Sequence, residues 1–277
     1  MSKKIPYLIL APGFILLILF LLVPLVSVIW PTFYDGALSF NSYTSFFQDS
    51  YNVGVFVRTI RISLIVTISC ILLGVPTAYY ISGTTPKWRG LLMALTLFPM
   101  LTNSVIRSFA WINLLGQNGV INKVLSSIGV ISKPLTLLYT EFSIVIGSIY
   151  LFLPILIITL VGIMENINPE IMEAAETLGA SRIKAFIKVV LPLSSPGIIV
   201  GSVLVFTGTL TAYTTPQLLG GNRNMMLSTF LYQNAMTLGN WKDASVIALL
   251  MIVTTLIVMK VFNLIANRID KRGEQDA

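Results

Sequence analysis

Residues that ordinarily carry out chemistry are scarce in this chain, and that scarcity is the first constraint on its function. There is no histidine, and the single cysteine, Cys70, has no second thiol to pair with. Ser-His-Asp and Cys-His catalysis therefore lack their imidazole, zinc sites lack their usual ligands, and a disulfide scaffold is excluded. No Gly-x-x-x-x-Gly-Lys-Ser/Thr loop is present to cradle a nucleotide's phosphates. Carboxylates that could meet a cation, Asp35, Asp49, Glu141 and Asp243, fall at the edges of the apolar segments. Within or near those segments stand Arg107, Trp111, Tyr150 and Tyr213, with Tyr79 and Tyr80 toward the other ends. Aromatic faces can hold ammonium groups along a path, and the same rings also serve ordinary packing. Arg107 lies ~24 Å of helical rise from the start of its segment, near a membrane surface. It repels a cation there, so it is expected to be paired or to face a partner.

The elements that carry these residues are apolar. Of 277 residues, 55% are hydrophobic and only 10% charged, with a mean hydropathy of +0.86. A soluble domain carries about 25% charge, so a water-soluble globule is excluded and an all-α membrane protein is indicated. A crossing needs about 20 apolar residues, and six segments qualify: about 7–30, 63–81, 91–114, 142–164, 196–213 and 244–265. The first follows Lys3 and Lys4 but is too long for a signal-peptide core and has no small-residue cleavage site after it, so it reads as a retained anchor. Six crossings place both termini on one side. Lys87, Arg89, Arg182, Lys184, Lys188, Arg268, Lys271 and Arg272 then join Lys3 and Lys4 in short inner segments, which makes that side cytoplasmic. The net charge of +7 fits lipid-facing loops better than a nucleic-acid groove. Residues 1–277 read as a single transmembrane domain.

The outer connections carry further pattern. Phe33, Tyr34, Tyr43, Phe46 and Phe47 form either an interfacial belt or a docking surface for an external partner. Val120, Ile121, Val124, Leu125 and Ile128 recur at helical spacing, which predicts a short amphipathic helix on the outer rim. The stretch from Met225 to Met236 is expected to behave alike.

The inner connection 165–195 is far longer than a turn requires. Asn168 is a good N-cap, Pro169 suits the first helical position, and Glu170 complements the positive helix end. Ile171, Ala174, Ala175 and Leu178 make one apolar stripe, and Gly179 is placed to close the helix in the left-handed conformation. Ser181 caps a second helix, expected to bury Ile183, Phe186, Ile187 and Val190. Such a hairpin either covers the inner rim or presents a small, acidic finger to the groove of a soluble partner. Alanine and glycine let that groove close on the backbone, and a glutamate sets register.

Glu173-Ala174-Ala175, Gly179 and Val189-Val190-Leu191-Pro192 resemble the EAA loop of binding-protein-dependent ABC importer permeases. Val189 stands where that family usually has isoleucine. The resemblance implies a type I (MetI-like) transmembrane domain whose coupling helix sits in a cytoplasmic ATPase. Glu173, Ala174, Ala175, Thr177, Leu178, Gly179 and Ala180 would make that contact. Arg107-Ser108-Phe109-Ala110-Trp111, Leu114-Leu115-Gly116, Asn118-Gly119-Val120-Ile121-Asn122, Tyr213-Thr214-Thr215-Pro216 and the early Ala11-Pro12-Gly13 are similar to polyamine permeases for spermidine and putrescine. The family implies an ATPase dimer that binds ATP and magnesium, a second homologous permease subunit and an extracytoplasmic substrate-binding protein. This chain would then be no enzyme and carry no cofactor or metal of its own, in a bacterial inner membrane. The alternatives are a permease for another small solute, such as a phosphonate, an opine or iron, and an ion-coupled secondary transporter, which would need intramembrane acidic relays.

Overall fold

Twelve helices, with short helical turns at Pro216–Gly220, Asn222–Asn224 and Gln233–Thr237, make up the architecture of the described residues, which in this computed structural model are 12–34 and 38–275, the side chains of Pro169 and of residues 266–275 excepted. The start of the first expected span, Lys3, Lys4, Ala11 and Asp35 lie outside them, as do the side chains of Arg268, Lys271 and Arg272. In chain order the helices are α1 (Pro12–Thr32), α2 (Asn41–Gln48), α3 (Ser50–Ser82), α4 (Pro86–Leu101), α5 (Ser104–Leu115), α6 (Val120–Ser127), α7 (Glu141–Met164), α8 (Pro169–Thr177), α9 (Arg182–Leu193), α10 (Ser195–Thr211), α11 (Leu227–Tyr232) and α12 (Trp241–Gln275). Four of them, α1, α3, α7 and α12, are long and apolar enough to cross a membrane. Two bent pairs could add one crossing each: α4 with the segment from Ser104 to Ser127, bent by 91°, and α9 with α10, bent by 69°.

The chain divides into two compact units. One comprises Met1–Gly54 and Phe230–Ile252, the other Val55–Thr229 and Val253–Ala277. In the first, the rings of Phe33, Phe40 and Tyr43 cluster with centroids 5.2 to 6.5 Å apart. Tyr43 and Thr32 share a 2.6 Å hydrogen bond between their hydroxyls, and Tyr51 meets Phe230 edge to face at 5.7 Å. Part of the outer aromatic set thus packs on itself. Helix α1 buries none of its apolar window within the chain.

The second unit is organised around α7. Its start is fixed by a capping box, in which Thr140 Oγ1 accepts from Ser143 N and Thr140 N donates to Ser143 Oγ. Its body is packed by Ile144, Leu156, Leu160 and Val161 against Ile62, Val66 and Cys70 of α3 and Val205 of α10. Pro154 sits inside α7; such breaks are tolerated in apolar bundles because neighbours satisfy the freed carbonyl. Helix α10 approaches closest. An added Cβ at Gly201 would collide with Leu156 Cδ1, and at Gly197 it would lie 2.5 Å from Ile163 Cδ1. This is the small-residue spacing that lets two helices touch backbone to backbone.

Three expectations change here. The third span is two helices, not one: Thr102 is extended at the end of α4, and Asn103 Oδ1 accepts from Val105 and Ile106 to start α5 in a new direction. The stretch from Met225 to Met236 is helical from Leu227 as expected, but Met225 to Thr229 are buried, where Arg58 Nη1 donates to Met225 O at 3.3 Å and Thr59 Oγ1 accepts from Leu227 N at 2.9 Å. The buried stripe of α9 is shifted. Ile183 is 74% exposed and Ile187 53%, while Ala185 and Val190 are buried. Phe186 and Val190 stay on the inward side as expected, and a π-helical turn over Phe186–Val190, in which Leu191 N–H donates to Phe186 O, follows the shifted start. Helix α6 forms as expected, with Val120, Val124 and Ile128 exposed.

Candidate functional site

The inner connection folds as its punctuation dictates. Asn168 Oδ1 accepts from Glu170 N at 3.0 Å and opens α8, with Pro169 in its first turn. At the far end Gly179 has φ +88°. Its N–H donates to Glu176 O at 2.9 Å and Ala180 N to Ala175 O at 3.1 Å. This pair of bonds is a Schellman closure, which needs a left-handed residue that glycine adopts without strain. Ser181 Oγ then accepts from Lys184 N and starts α9. Helix α8 is therefore a short rigid finger with both ends sealed by its own sequence.

The finger is seated on the end of α3, beside the start of α4 and the end of α7. Tyr79, one turn from the end of α3, donates its hydroxyl to Met172 Sδ of α8 at 3.9 Å. The same ring packs on Phe186 of α9 at 4.7 Å. Arg89 of α4 pairs with Glu165, just beyond α7, at 2.8 Å and donates to the carbonyls of Ser82 and Thr84. Met172 thus ties α8 to the end of α3, and the Arg89–Glu165 pair ties the start of α4 to the end of α7 beside it. The other face of the finger is bare. Leu178 is 88% exposed, and Ile171, Glu173, Ala174, Glu176 and Thr177 are exposed with it; Ala175 and Ala180 are half-buried. Tyr79 and the Arg89–Glu165 pair were not assigned this seating from sequence. The basic residue beside an inner loop could have signalled it, but its acidic partner lies far along the chain.

The aromatic candidates fall in the second unit. Trp111 on α5 and Tyr150 on α7 meet edge to face at 5.6 Å, both half-buried. Tyr213 is half-buried in the break after α10. Arg107 is 8% exposed and donates Nη1 to Pro99 O at 3.0 Å and to Thr102 O at 3.2 Å. Those carbonyls end α4, so the guanidinium meets the negative end of a helix dipole where the bond ladder is broken. Arg58 and Arg61 converge on Glu141 at the start of α7, with Nε at 3.2 Å and Nη2 at 2.5 and 2.6 Å from its oxygens. Among the described residues no group of histidine, cysteine and carboxylates could hold a metal.

Known proteins share this arrangement. The family of the binding-protein-dependent transport system inner membrane component matches residues 70–274. The spermidine/putrescine transport system permease protein PotB of Haemophilus influenzae is 34% identical over 217 residues, covering 78% of this chain and 76% of that protein. PotB of Escherichia coli strain K12 is 30% identical over 233 residues, covering 81% and 84%. A solved bacterial alginate ABC transporter, in complex with an alginate pentasaccharide-bound periplasmic protein, has a chain with TM-score 0.79 over 95% of this chain and 94% of that one. Its identity is 21%, so this likeness speaks for the fold alone. With its apolar helices, its sealed finger and a family match over most of its length, this chain belongs to the inner membrane components of binding-protein-dependent transport systems.

Proposed function

We propose that the chain is a permease subunit of an ATP-driven importer and forms half of a pathway for polyamines, spermidine or putrescine, delivered by an external binding protein. The observation that carries the substrate class is the 34% identity to a spermidine/putrescine permease across most of both chains. In this reading each bent pair is one crossing, giving six spans with both termini cytoplasmic. The exposed residues Glu173, Leu178 and Gly179, with Ala174, Ala175, Thr177 and Ala180, enter the groove of a partner ATPase dimer. A second homologous permease completes the pore. ATP hydrolysis by the partner supplies the energy. This chain's part is mechanical: α8 moves as a rigid body, Tyr79 and the Arg89–Glu165 pair carry the motion into α3, α4 and α7, and access alternates between the two sides. The Trp111–Tyr150 pair and Tyr213 offer π-faces to a passing ammonium group. Arg107, held by two carbonyls, keeps its charge out of that path.

The assembled complex with its binding protein, reconstituted in vesicles, is expected to take up labelled spermidine or putrescine on ATP addition. Competition by phosphonates, opines or iron, with neither polyamine carried or competing, overturns the assignment. The topology has its own test. In a Cys70→Ser background, a cysteine at Ser127 is expected to react with an impermeant thiol reagent from outside and one at Ser181 from inside only. Cys70 is fully buried, so the background substitution removes little signal. Labelling of both from the same side overturns the six-span reading.

A further inference from the structure

Helix α9 carries two exposed rows that the packing of the bundle does not use. Ile183 and Ile187, four residues apart, form one row, and Lys184 and Lys188 form the row beside it. Arg182 is exposed at the start of the helix. From Arg182 to Leu193 the chain holds three bases and no acid, whereas Glu170, Glu173 and Glu176 all stand exposed on α8. The two sets form no ion pair with each other among the described residues. The hairpin is thus divided into an acidic arm and a basic arm. Two observations set the depth of the basic arm. Phe186 of α9 packs on Tyr79 at 4.7 Å, and next to Tyr79, around the turn from α3 to α4, the rings of Tyr80 and Trp88 are exposed. Exposed aromatic rings at the ends of apolar helices mark the boundary between membrane and water. Helix α9 also enters α10 through a bend of 69°, so with α10 crossing the membrane, α9 lies close to the membrane plane.

We infer that α9 is a docking surface for the anionic phospholipids of the inner leaflet: Ile183 and Ile187 enter the acyl boundary, and Arg182, Lys184 and Lys188 hold headgroup phosphates. An interfacial helix needs this division, with an apolar row that dips below the headgroups and basic stems long enough to stay at their level. Each base beside an anionic surface adds an attraction that salt screens. A soluble partner fits the pattern less well, because it would have to bury two isoleucines at the depth where the neighbouring rings place lipid. The consequence falls on the finger. Only four residues, from Leu178 to Ser181, separate α8 from α9. A helix held on the leaflet gives α8 a fixed base and leaves its acidic face to the groove of an ATPase. The inference rests on the topology proposed above and not on the identity of the solute.

The assembled complex, carrying Cys70→Ser and Ile187→Cys with an environment-sensitive fluorophore on the new thiol, is placed in nanodiscs of phosphatidylcholine alone or mixed with phosphatidylglycerol. Lipids brominated on their acyl chains are expected to quench the probe, and iodide in the buffer to leave it bright. Lipid quenching is expected to be at least about twofold stronger with phosphatidylglycerol present. Replacing Arg182, Lys184 and Lys188 together by glutamine is expected to remove that dependence at an unchanged melting temperature, since none of the three is in an ion pair among the described residues. If the triple variant melts lower, Lys188→Gln alone is expected to weaken the dependence about twofold. Quenching by iodide alone overturns the inference. So does a probe reached by neither quencher, which is the result if the ATPase covers α9, and so does equal quenching in the two lipid mixtures. Labelling of Ser181→Cys by an impermeant reagent separates the two claims. Reaction only from outside sinks the topology; reaction from inside, with a probe at 187 that meets iodide alone, sinks this surface and leaves the topology standing.

Discussion

Gly179→Trp and Glu173→Lys are each expected to abolish ATP-driven uptake, by at least about tenfold, while the chain still inserts and accumulates at normal levels. An added Cβ at Gly179 meets nothing within 4 Å, so tryptophan there finds no clash inside this chain. The internal cost is the positive φ of +88°, worth about 1–2 kcal/mol for a residue with a side chain. That frays the Schellman closure but leaves the bundle around α7 untouched. Glu173 is exposed and makes no ion pair among the described residues, so its reversal breaks no ion pair within the chain. Any large loss of function must then come from a surface that closes on α8. Leu178→Asp isolates the apolar part of that contact, since burying a leucine is worth about 1.5–3 kcal/mol. ATP hydrolysis stimulated by loaded binding protein, compared with the basal rate, is the measurement. Normal stimulated rates and normal uptake in all three variants would remove the coupling role from α8.

The finger was legible because its signals are local. Asn168, Pro169, Gly179 and Ser181 act on neighbours within a turn, and the structure uses all four as caps or helix starts. Hydropathy likewise placed the long apolar helices. What failed was register and long-range pairing. In α9 the stripes 183/186/187/190 and 185/186/189/190 both fit helical spacing, and tertiary packing chose the second, leaving Ile183 and Ile187 outward and Ala185 inward. Pro99 is accommodated inside α4, and the break in the third span falls three residues on, where Asn103 caps a new helix. Arg58, Arg61 and Glu141 are joined only by the tertiary fold. Their sequence neighbours carry no trace of the partner.

Gly201 is the position where a single added side chain is expected to do most damage to the fold. Gly197 and Gly201 stand four apart on α10, and Gly208 continues the same face against Phe152, with an added Cβ 2.5 Å from Cε1. At Gly201 a Cβ would overlap Leu156 Cδ1 and stand 3.5 Å from Leu156 Cα. The leucine methyl can turn aside for alanine; the backbone behind it cannot retreat for isoleucine, because α7 is held on its other side by α3. Gly74 of α3 would put a Cβ 2.8 Å from Leu156 Cδ2, so Leu156 packs between two glycines and its methyls can yield only slightly. Overpacking of a close-packed interior costs about 1–3 kcal/mol and more where relaxation is blocked. Gly162 on α7 is the control, since an added Cβ there meets nothing within 4 Å. Replacing a helical glycine by alanine in open space gains up to about 1 kcal/mol. Thermal melting of the purified complex is expected to rise slightly for Gly162→Ala, fall for Gly201→Ala and collapse for Gly201→Ile. Equal melting of Gly162→Ala and Gly201→Ile would mean that α10 does not rest on Leu156, and the backbone contact between α7 and α10 would have to be given up.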